Sequence, residues 1–222
     1  MNRILALAAV AVIGAFGVFL WTNSQPQAPG LTLGAVSAQE SSAEIDMSMV
    51  ADMRIGNPDA TVTVIEYASF TCPHCRSFHE GPFKELKADY IDTGRINFVY
   101  REVYFDRFGL WAGMLARCGG EERYFALVDL IYENQRDWTA GGDPAVVADN
   151  LRRLGRTAGF AEEEVNACLS DSEKAQALVA VYQENAAADG INSTPSFVIN
   201  GRKYANMSYA EFSAILDEEL GS

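Results

Sequence analysis

Residues 60–75 read ATVTVIEYASFTCPHC, and this stretch decides the fold. Its first part, 60–68, is dense in β-branched and aromatic residues and carries one charge, which is typical of a strand buried on both faces. Two cysteines, Cys72 and Cys75, come shortly after it, and Pro73 between them suits the first position of a helix. The stretch therefore predicts a strand followed by a helix whose first turn carries both cysteines.

A helix and a second strand follow the cysteines. A helical periodicity runs from 72 to about 88, with residues spaced every four positions at Phe78, Pro82, Leu86 and Tyr90. Thr93-Gly94 ends this helix, and residues 96–103 (INFVYREV) have the composition of a strand. A strand, a helix and a strand in this order predict a parallel pair with a right-handed crossover.

The rest of the chain divides into a helical block and a short α/β end. Residues 104–190 contain no convincing strand and hold helical patches at 109–117, 121–134, 144–154 and 161–169. Strands return at 196–199 and 202–204, joined by the hairpin signal Asn200-Gly201. A capping box at 208–211 (SYAE) opens a last helix.

The N-terminal residues indicate export. Arg3 is the only charged residue among the first 39, and the 18 residues from 4 to 21 form an apolar run. This pattern is typical of a signal peptide, here cleaved after Ala38, or of an uncleaved anchor, because 18 apolar residues just reach bilayer length as a helix. We expect residues 1–38 to be signal or anchor, 39–56 to be a linker, and the folded part to be exported.

Composition excludes several classes of protein. The chain has 222 residues, of which 49% are hydrophobic and 21% charged, so it can form a packed core and is not disordered as a whole. Thirty acidic against 17 basic residues give a net charge of −13, which argues against a nucleic-acid partner.

The two neighbouring cysteines carry the chemistry. Cys72 and Cys75 are three residues apart and share one face of the first helical turn, so their sulfurs can form a disulfide. Free N–H groups and the dipole at the helix start favour a thiolate at Cys72. We expect His74 to add to this effect if it is cationic or donates a hydrogen bond.

Three other uses of this cysteine pair fit less well. A c-type haem site needs a histidine directly after the second cysteine, where Arg76 stands. A zinc site needs four ligands, and although His79 is within helical reach, Cys118 and Cys168 lie in the separate helical block. An inert disulfide across two residues is uncommon in a βαβ context. We therefore expect a redox-active dithiol, with no metal and no cofactor.

The run from Glu66 to Cys75, the helical block and the later Thr194-Pro195 resemble the DsbA-like thiol:disulfide oxidoreductases of bacterial envelopes. The CPHC tetrapeptide is much more specific than a bare CxxC, and the resemblance covers roughly 57–220. It implies an α/β protein, a thioredoxin fold with an inserted all-helical domain. The two thioredoxin parts and the insertion would be 57–103, 191–222 and 104–190.

The resemblance also implies roles for particular residues. Pro195 looks like the proline that this family holds in the cis form against the dithiol. Glu66 matches the family's buried acid, which can relay a proton to or from Cys75, although an edge position facing water is an alternative. We expect Pro73 and Thr194 to contact the substrate.

Two further cysteines, Cys118 and Cys168, lie in the helical block. Four cysteines allow three pairings, and an exported protein rarely leaves two thiols free. A subset of DsbA-like proteins has a second disulfide in its helical domain, and this resemblance implies a Cys118–Cys168 bridge. Two buried free thiols are the alternative.

The function that the resemblance implies is that of an oxidant that introduces disulfide bonds into exported proteins. A substrate thiolate would attack the oxidised pair at Cys72, and the substrate's second thiolate would resolve the mixed disulfide. The implied partners are unfolded or reduced exported proteins and a DsbB-like membrane protein that reoxidises the dithiol.

Two alternatives stay open. A disulfide isomerase or reductase on the same scaffold would need a less oxidising couple, and 40–53 could then form an oligomerisation stalk. A non-enzymatic copper-binding protein would combine the two neighbouring cysteines with thioethers, which suit Cu(I), at Met47, Met49 and Met53.

Overall fold

A five-stranded mixed sheet forms the centre of the protein, whose computed structural model describes residues 45–221. The strands, in chain order, are β1 (Met53–Gly56), β2 (Val62–Ala68), β3 (Ile96–Glu102), β4 (Ser196–Ile199) and β5 (Arg202–Ala205). Their order in the sheet is β1-β3-β2-β4-β5. As predicted, β2 and β3 are parallel, and every other neighbouring pair is antiparallel.

Helices fill the chain between β3 and β4, as predicted. They are α3 (Arg107–Cys118), α4 (Gly120–Glu133), α5 (Gln135–Trp138), α6 (Pro144–Thr157), α7 (Glu162–Ser170) and α8 (Ser172–Ala188). Four of them overlap the four predicted patches, whereas α5 and α8 were not predicted. The apolar residues of α8 are mostly alanines that form no clear stripe, so its sequence shows little helical periodicity.

The predicted helix 72–88 is interrupted. It consists of α1 (Pro73–Glu80), α2 (Pro82–Leu86) and a π-helical turn at Lys87–Ile91. The backbone turns away at Gly81, with φ −125° and ψ −93°, and Pro82 has no N–H to continue the helix. The prediction of one continuous helix was wrong because Pro82, although it fits the apolar spacing, begins a new helix.

The predicted linker, 39–56, ends in ordered structure, which corrects that boundary. Met47–Met49 form a single 3-10 turn capped by the Asp46 side chain. The strand β1 then pairs with β3, and its Met53 is buried in the core. A strand of four residues is too short to show a clear alternation, and its pairing depends on a partner far along the chain.

Side chains pack on both faces of the sheet. On one face Val64 of β2 joins a large core that includes residues of α1, α2, α4 and the last helix, α9 (Tyr209–Leu220). On the other face Tyr67 packs with Val198 against Tyr182 of α8. Since successive strand residues alternate between faces, Glu66 points into the large core.

Two local predictions at the C-terminal end are confirmed. Asn200 and Gly201 both have positive φ, 45° and 83°, as a tight two-residue hairpin turn requires, and they join β4 to β5. Ser208 caps α9, and its backbone N–H donates a hydrogen bond to the Glu211 carboxylate.

A disulfide joins two helices of the block. It links Cys118, the last residue of α3, to Cys168 in α7, with 5.8 Å between the Cα atoms and 50 residues between them in sequence. This is the pairing that the resemblance implied.

Membrane association through the N-terminal residues remains a prediction. The proposed signal peptide or anchor, 1–38, lies outside the described residues. Within 45–221, no helix has the length and apolar character that a membrane span requires.

Candidate active site

The two neighbouring cysteines lie at the junction between β2, the central strand of the sheet, and α1. Cys72 is the N-cap residue of α1, and Pro73 occupies the first helical position. Both cysteines are free thiols; Cys72 is partly exposed, whereas Cys75 is fully buried. A partner protein can therefore reach the outer sulfur but not the inner one.

The surroundings of Cys72 favour its thiolate. A hydrogen bond from the Cys75 thiol contributes most to lowering the pKa of Cys72, which falls to about 5. Partial burial opposes this effect, and hydrogen bonds from the Thr194 side chain and the backbone N–H groups of Cys75 and His74 add to it. At pH 7 the outer sulfur is mostly ionised and nucleophilic.

Cys75 has the opposite environment. Burial raises the pKa of the Cys75 thiol far above its usual range. The hydrogen bond that it donates to Cys72 and the negative charge of Glu66 raise that pKa further. The reduced pair is therefore a thiolate at Cys72 held by a thiol at Cys75.

Glu66 forms a buried pair with His79 beneath the dithiol. The Nε2 atom of His79 lies 2.9 Å from one carboxylate oxygen of Glu66 and 3.2 Å from the other. Glu66 is fully buried, so the alternative of an edge position facing water is excluded. The imidazole packs against the rings of Phe83 and Tyr132, with centroids 4.4 and 4.5 Å away.

The loop before β4 lies against the outer cysteine. The Thr194-Pro195 peptide bond is cis, and Pro195 is buried. In the thiol form Cys72 donates a hydrogen bond of 3.5 Å to the Thr194 carbonyl. The antiparallel pairing of β4 with β2, which sets Ser196 opposite Tyr67, brings this loop to the dithiol.

The helical block holds the loop that carries Cys72. The side-chain amide of Gln135, in α5, donates to the carbonyls of Phe70 and Cys72 at 2.8 and 2.9 Å. The hydroxyl of Tyr132, in α4, donates to the Ser69 carbonyl at 3.2 Å. The insertion thus fixes the backbone on the N-terminal side of the reactive sulfur.

The predicted site residues divide into two groups. The structure brings Cys72, Cys75, Thr194 and Pro195 together above Glu66, whereas the Cys118–Cys168 disulfide belongs to the helical block. Pro73 and His74 are exposed at the start of α1.

The expected contribution of the His74 imidazole stays a prediction. What lowers the pKa of Cys72 at this position is the backbone N–H of His74. The side-chain sources are the Cys75 thiol, which the CPHC spacing places next to Cys72, and the Thr194 side chain, which that spacing does not indicate.

Gln135 and Tyr132 could not be selected from the sequence, because both act across more than 60 residues. The sequence pattern indicates His79 only as a zinc ligand. Its place four residues after Cys75, on the same helix face, is the signal for a role beneath the dithiol. Among residues 45–221, no group of three or more His, Cys, Asp and Glu side chains is arranged to hold a metal ion. The copper alternative gains nothing from Met53, which is buried in the core.

Comparison with known proteins identifies relatives for most of the chain. A family model described as Thioredoxin matches residues 48–218. A Rickettsia bellii protein provisionally named protein-disulfide oxidoreductase is 37% identical over 170 residues, which cover 76% of this chain and 64% of that protein. The chain thus spans less than two thirds of the length of the Rickettsia relatives that it matches.

Two further relatives resemble the chain over a similar range. Disulfide bond formation protein D of Bacillus subtilis is 25% identical over 178 residues, covering 75% of this chain and 76% of that protein. The crystal structure of α-DsbA1 from Wolbachia pipientis superposes with a TM-score of 0.70 at 28% identity, covering 77% of this chain and 91% of that one. These similarities confirm the predicted thioredoxin fold with its helical insertion.

Proposed function

Because the chain belongs to the thioredoxin family and to its DsbA-like members, we propose that it introduces disulfide bonds into exported proteins through Cys72 and Cys75. The observation that carries this proposal is the contrast between the two thiols. Cys72 is accessible, with its pKa lowered to about 5, whereas Cys75 is buried and keeps its proton. Such a pair presents one attackable sulfur and one protected leaving group.

The reaction proceeds in two exchanges. A substrate thiolate attacks the Cys72 sulfur of the oxidised pair, which forms a mixed disulfide and releases Cys75 as a thiolate that takes up a proton. The substrate's second thiolate then attacks the substrate's first sulfur, which is bonded to Cys72 in the mixed disulfide, and releases Cys72 as a thiolate. Two electrons move from the substrate dithiol to the protein, and the substrate leaves with a disulfide.

Stabilisation of the Cys72 thiolate sets the direction of exchange. A pKa of about 5 instead of about 8.5 stabilises the reduced form at pH 7 by at most about 2.7 kcal/mol, and solvent screening of a partly exposed sulfur lowers this figure. For a two-electron couple this raises the reduction potential by up to about 60 mV. The effect makes the oxidised form a stronger oxidant.

The substrate would approach along the loop that contacts the outer sulfur. Thr194 lies beside Cys72, and Pro73 is exposed on the other side, at the start of α1. An extended polypeptide that paired with the backbone near Thr194 would place a cysteine against Cys72. The proposal includes a periplasmic location and reoxidation by a DsbB-like membrane protein.

The test combines a peptide-oxidation assay with a measurement of the reduction potential of Cys72–Cys75. The chain from residue 39, oxidised at both cysteine pairs, is mixed with a reduced peptide that contains two cysteines, and Cys72→Ser serves as the inactive control. We expect rapid peptide oxidation and a potential, measured in glutathione buffers, that lies above the value of about −270 mV of thioredoxin, in the direction of the value of about −120 mV of DsbA. A potential near −270 mV would assign the protein to the reductases. Stoichiometric Cu(I) binding without any exchange would favour the copper-binding alternative.

A further inference from the structure

A narrow cleft leads from His79 towards the surface. The second ring nitrogen of His79, Nδ1, is buried and has no hydrogen-bond partner among residues 45–221. The free volume of the cleft is about 10 Å³, close to what a single water molecule needs. Its walls are formed by His79, Glu80, Lys84, Asp129, Tyr132 and Glu133.

The mouth of this cleft is acidic. Asp129 and Glu133 lie one helical turn apart on α4, and both are exposed. Partial burial of the carboxyl raises the pKa of Asp129 although the residue as a whole is exposed, the charge of His79 lowers that pKa, and the charge of Glu133 raises it. The Asp129 carboxyl therefore lies within electrostatic range of the imidazole. The other titratable or charged groups around the imidazole, including those of neighbouring elements, are Glu66, Cys75, Glu80, Lys84, Tyr100 and Tyr132.

The reaction at the dithiol needs a proton at a place that solvent cannot reach. Cys75 leaves as a thiolate, and both Cys75 and Glu66 are fully buried. A buried thiolate next to a buried carboxylate would place two negative charges in an apolar core, which is costly. Glu66 can pass a proton towards Cys75, but the carboxylate itself must then be reprotonated.

We propose, on the premise that Cys72 and Cys75 carry out the exchange described above, that His79 is the positioning residue through which protons pass between Glu66 and solvent. Its Nε2 exchanges a proton with the carboxylate, and its Nδ1 exchanges one with a water in the cleft. Asp129 and Glu133 place two carboxyl groups at the mouth, where a proton from solvent enters the cleft. His79 touches neither substrate nor the reacting sulfurs and acts through Glu66.

Protons and electrons balance in this scheme. When the Cys72–Cys75 bond breaks, its electron pair goes to Cys75, which accepts the proton that Glu66 and His79 share. One proton then enters from solvent through the cleft and restores the pair. The return of the protein to its oxidised form sends one proton out by the same route, as Cys75 again gives up its proton.

The test follows the reduction of the oxidised protein by dithiothreitol between pH 5 and 8, with the rate constant expressed per reductant thiolate. His79→Gln keeps a hydrogen-bonding group next to Glu66 but cannot carry a proton at these pH values. We expect this variant to react about tenfold more slowly at pH 7 and to lose the pH dependence of the wild-type rate constant. Asp129→Asn should slow the reaction two- to threefold and shift its pH profile with unchanged thermal stability.

The matched control is Glu122→Gln, which removes an exposed carboxylate from the same helix, α4, away from the cleft. It should leave the rate constant and its pH profile unchanged. A folded His79→Gln protein with the wild-type pH profile would overturn the proposal. If His79→Gln does not fold, Asp129→Asn provides the test. An Asp129→Asn protein that reacts as fast as the Glu122→Gln control would overturn the proposal.

Failure of the proposed function would be distinguishable. Dithiothreitol reduces the Cys72–Cys75 disulfide whether or not the protein oxidises a peptide. An inactive wild-type protein in the peptide assay would therefore count against the proposed function alone, and the dithiothreitol profile would still decide the role of His79.

Discussion

The two cysteine pairs of this protein differ in sequence separation and surroundings. Cys72 and Cys75 lie in one helical turn, as free thiols with opposite pKa shifts. Cys118 and Cys168 are 50 residues apart and join two helices. On the chain-entropy model, a disulfide across the short loop stabilises the fold by about 2 kcal/mol and one across the long loop by about 4 kcal/mol. In chain entropy alone, closing the pair that takes part in the proposed reaction thus stabilises the fold less than closing the Cys118–Cys168 pair.

We expect the two cysteine pairs to differ most in their effect on activity. Cys72→Ser removes the attackable sulfur, so peptide oxidation should fall to the uncatalysed rate. The double variant Cys118→Ser, Cys168→Ser should retain most of its activity at a temperature where it is folded. The measurement is a comparison of the initial rates of the two variants in one peptide assay. A folded but inactive double variant would show that Cys118 and Cys168 are needed for activity as well as for structure.

For stability, we expect the Cys118–Cys168 pair to matter more than the Cys72–Cys75 pair. The double variant Cys118→Ser, Cys168→Ser should lose about 4 kcal/mol of unfolding free energy. Urea unfolding of wild type and variant, with both proteins reduced at Cys72 and Cys75, measures the difference. Equal urea midpoints would show that the disulfide does not stabilise the helical block.

The unequal thiols predict how the potential depends on pH. Above pH 5 Cys72 is ionised while Cys75 keeps its proton, so reduction takes up one proton for two electrons. The potential should fall by about 30 mV per pH unit between pH 5.5 and 8 and by about 59 mV per unit below pH 5. Glutathione equilibria at several pH values measure this slope. A steady slope of about 59 mV across the whole range would mean that both thiols stay protonated.

Smaller effects separate the sources of thiolate stabilisation. Thr194→Val removes a side-chain hydrogen bond to the sulfur and should raise the pKa of Cys72 by up to about one unit. His74→Ser keeps the backbone N–H that contributes here and should raise that pKa less. Iodoacetamide reaction rates against pH give both values, and a larger effect of His74→Ser would restore the imidazole as the main side-chain source.

Local patterns made much of the fold and the dithiol predictable. The buried strand, the CPHC motif at a helix start and the Asn200-Gly201 turn each depend on neighbouring residues. The place of Glu66 on the core face follows from strand alternation. Such features are present in the sequence before any tertiary contact forms.

Features that depend on distant contacts were missed. The strand β1 exists through its pairing with β3, and Gln135 reaches the loop at Cys72 only because α5 packs against it. One hydrogen bond that stabilises the Cys72 thiolate comes from the side chain of Thr194, which lies 122 residues away. The spacing of residues in the sequence indicates the helix start and His74 as sources of thiolate stabilisation, but it does not indicate Thr194.

The most direct test of the account is the thiolate absorbance at 240 nm, followed against pH as the difference between reduced and oxidised protein. Ionisation of Cys72 in the native state stabilises the reduced fold fully above its unfolded pKa of about 8.5, and this stabilisation is lost as pH falls through about 5. We predict an absorbance step of one thiolate with a midpoint near pH 5 and no second step below pH 9. A midpoint near pH 8, or a step of two thiolates, would contradict the contrast between Cys72 and Cys75.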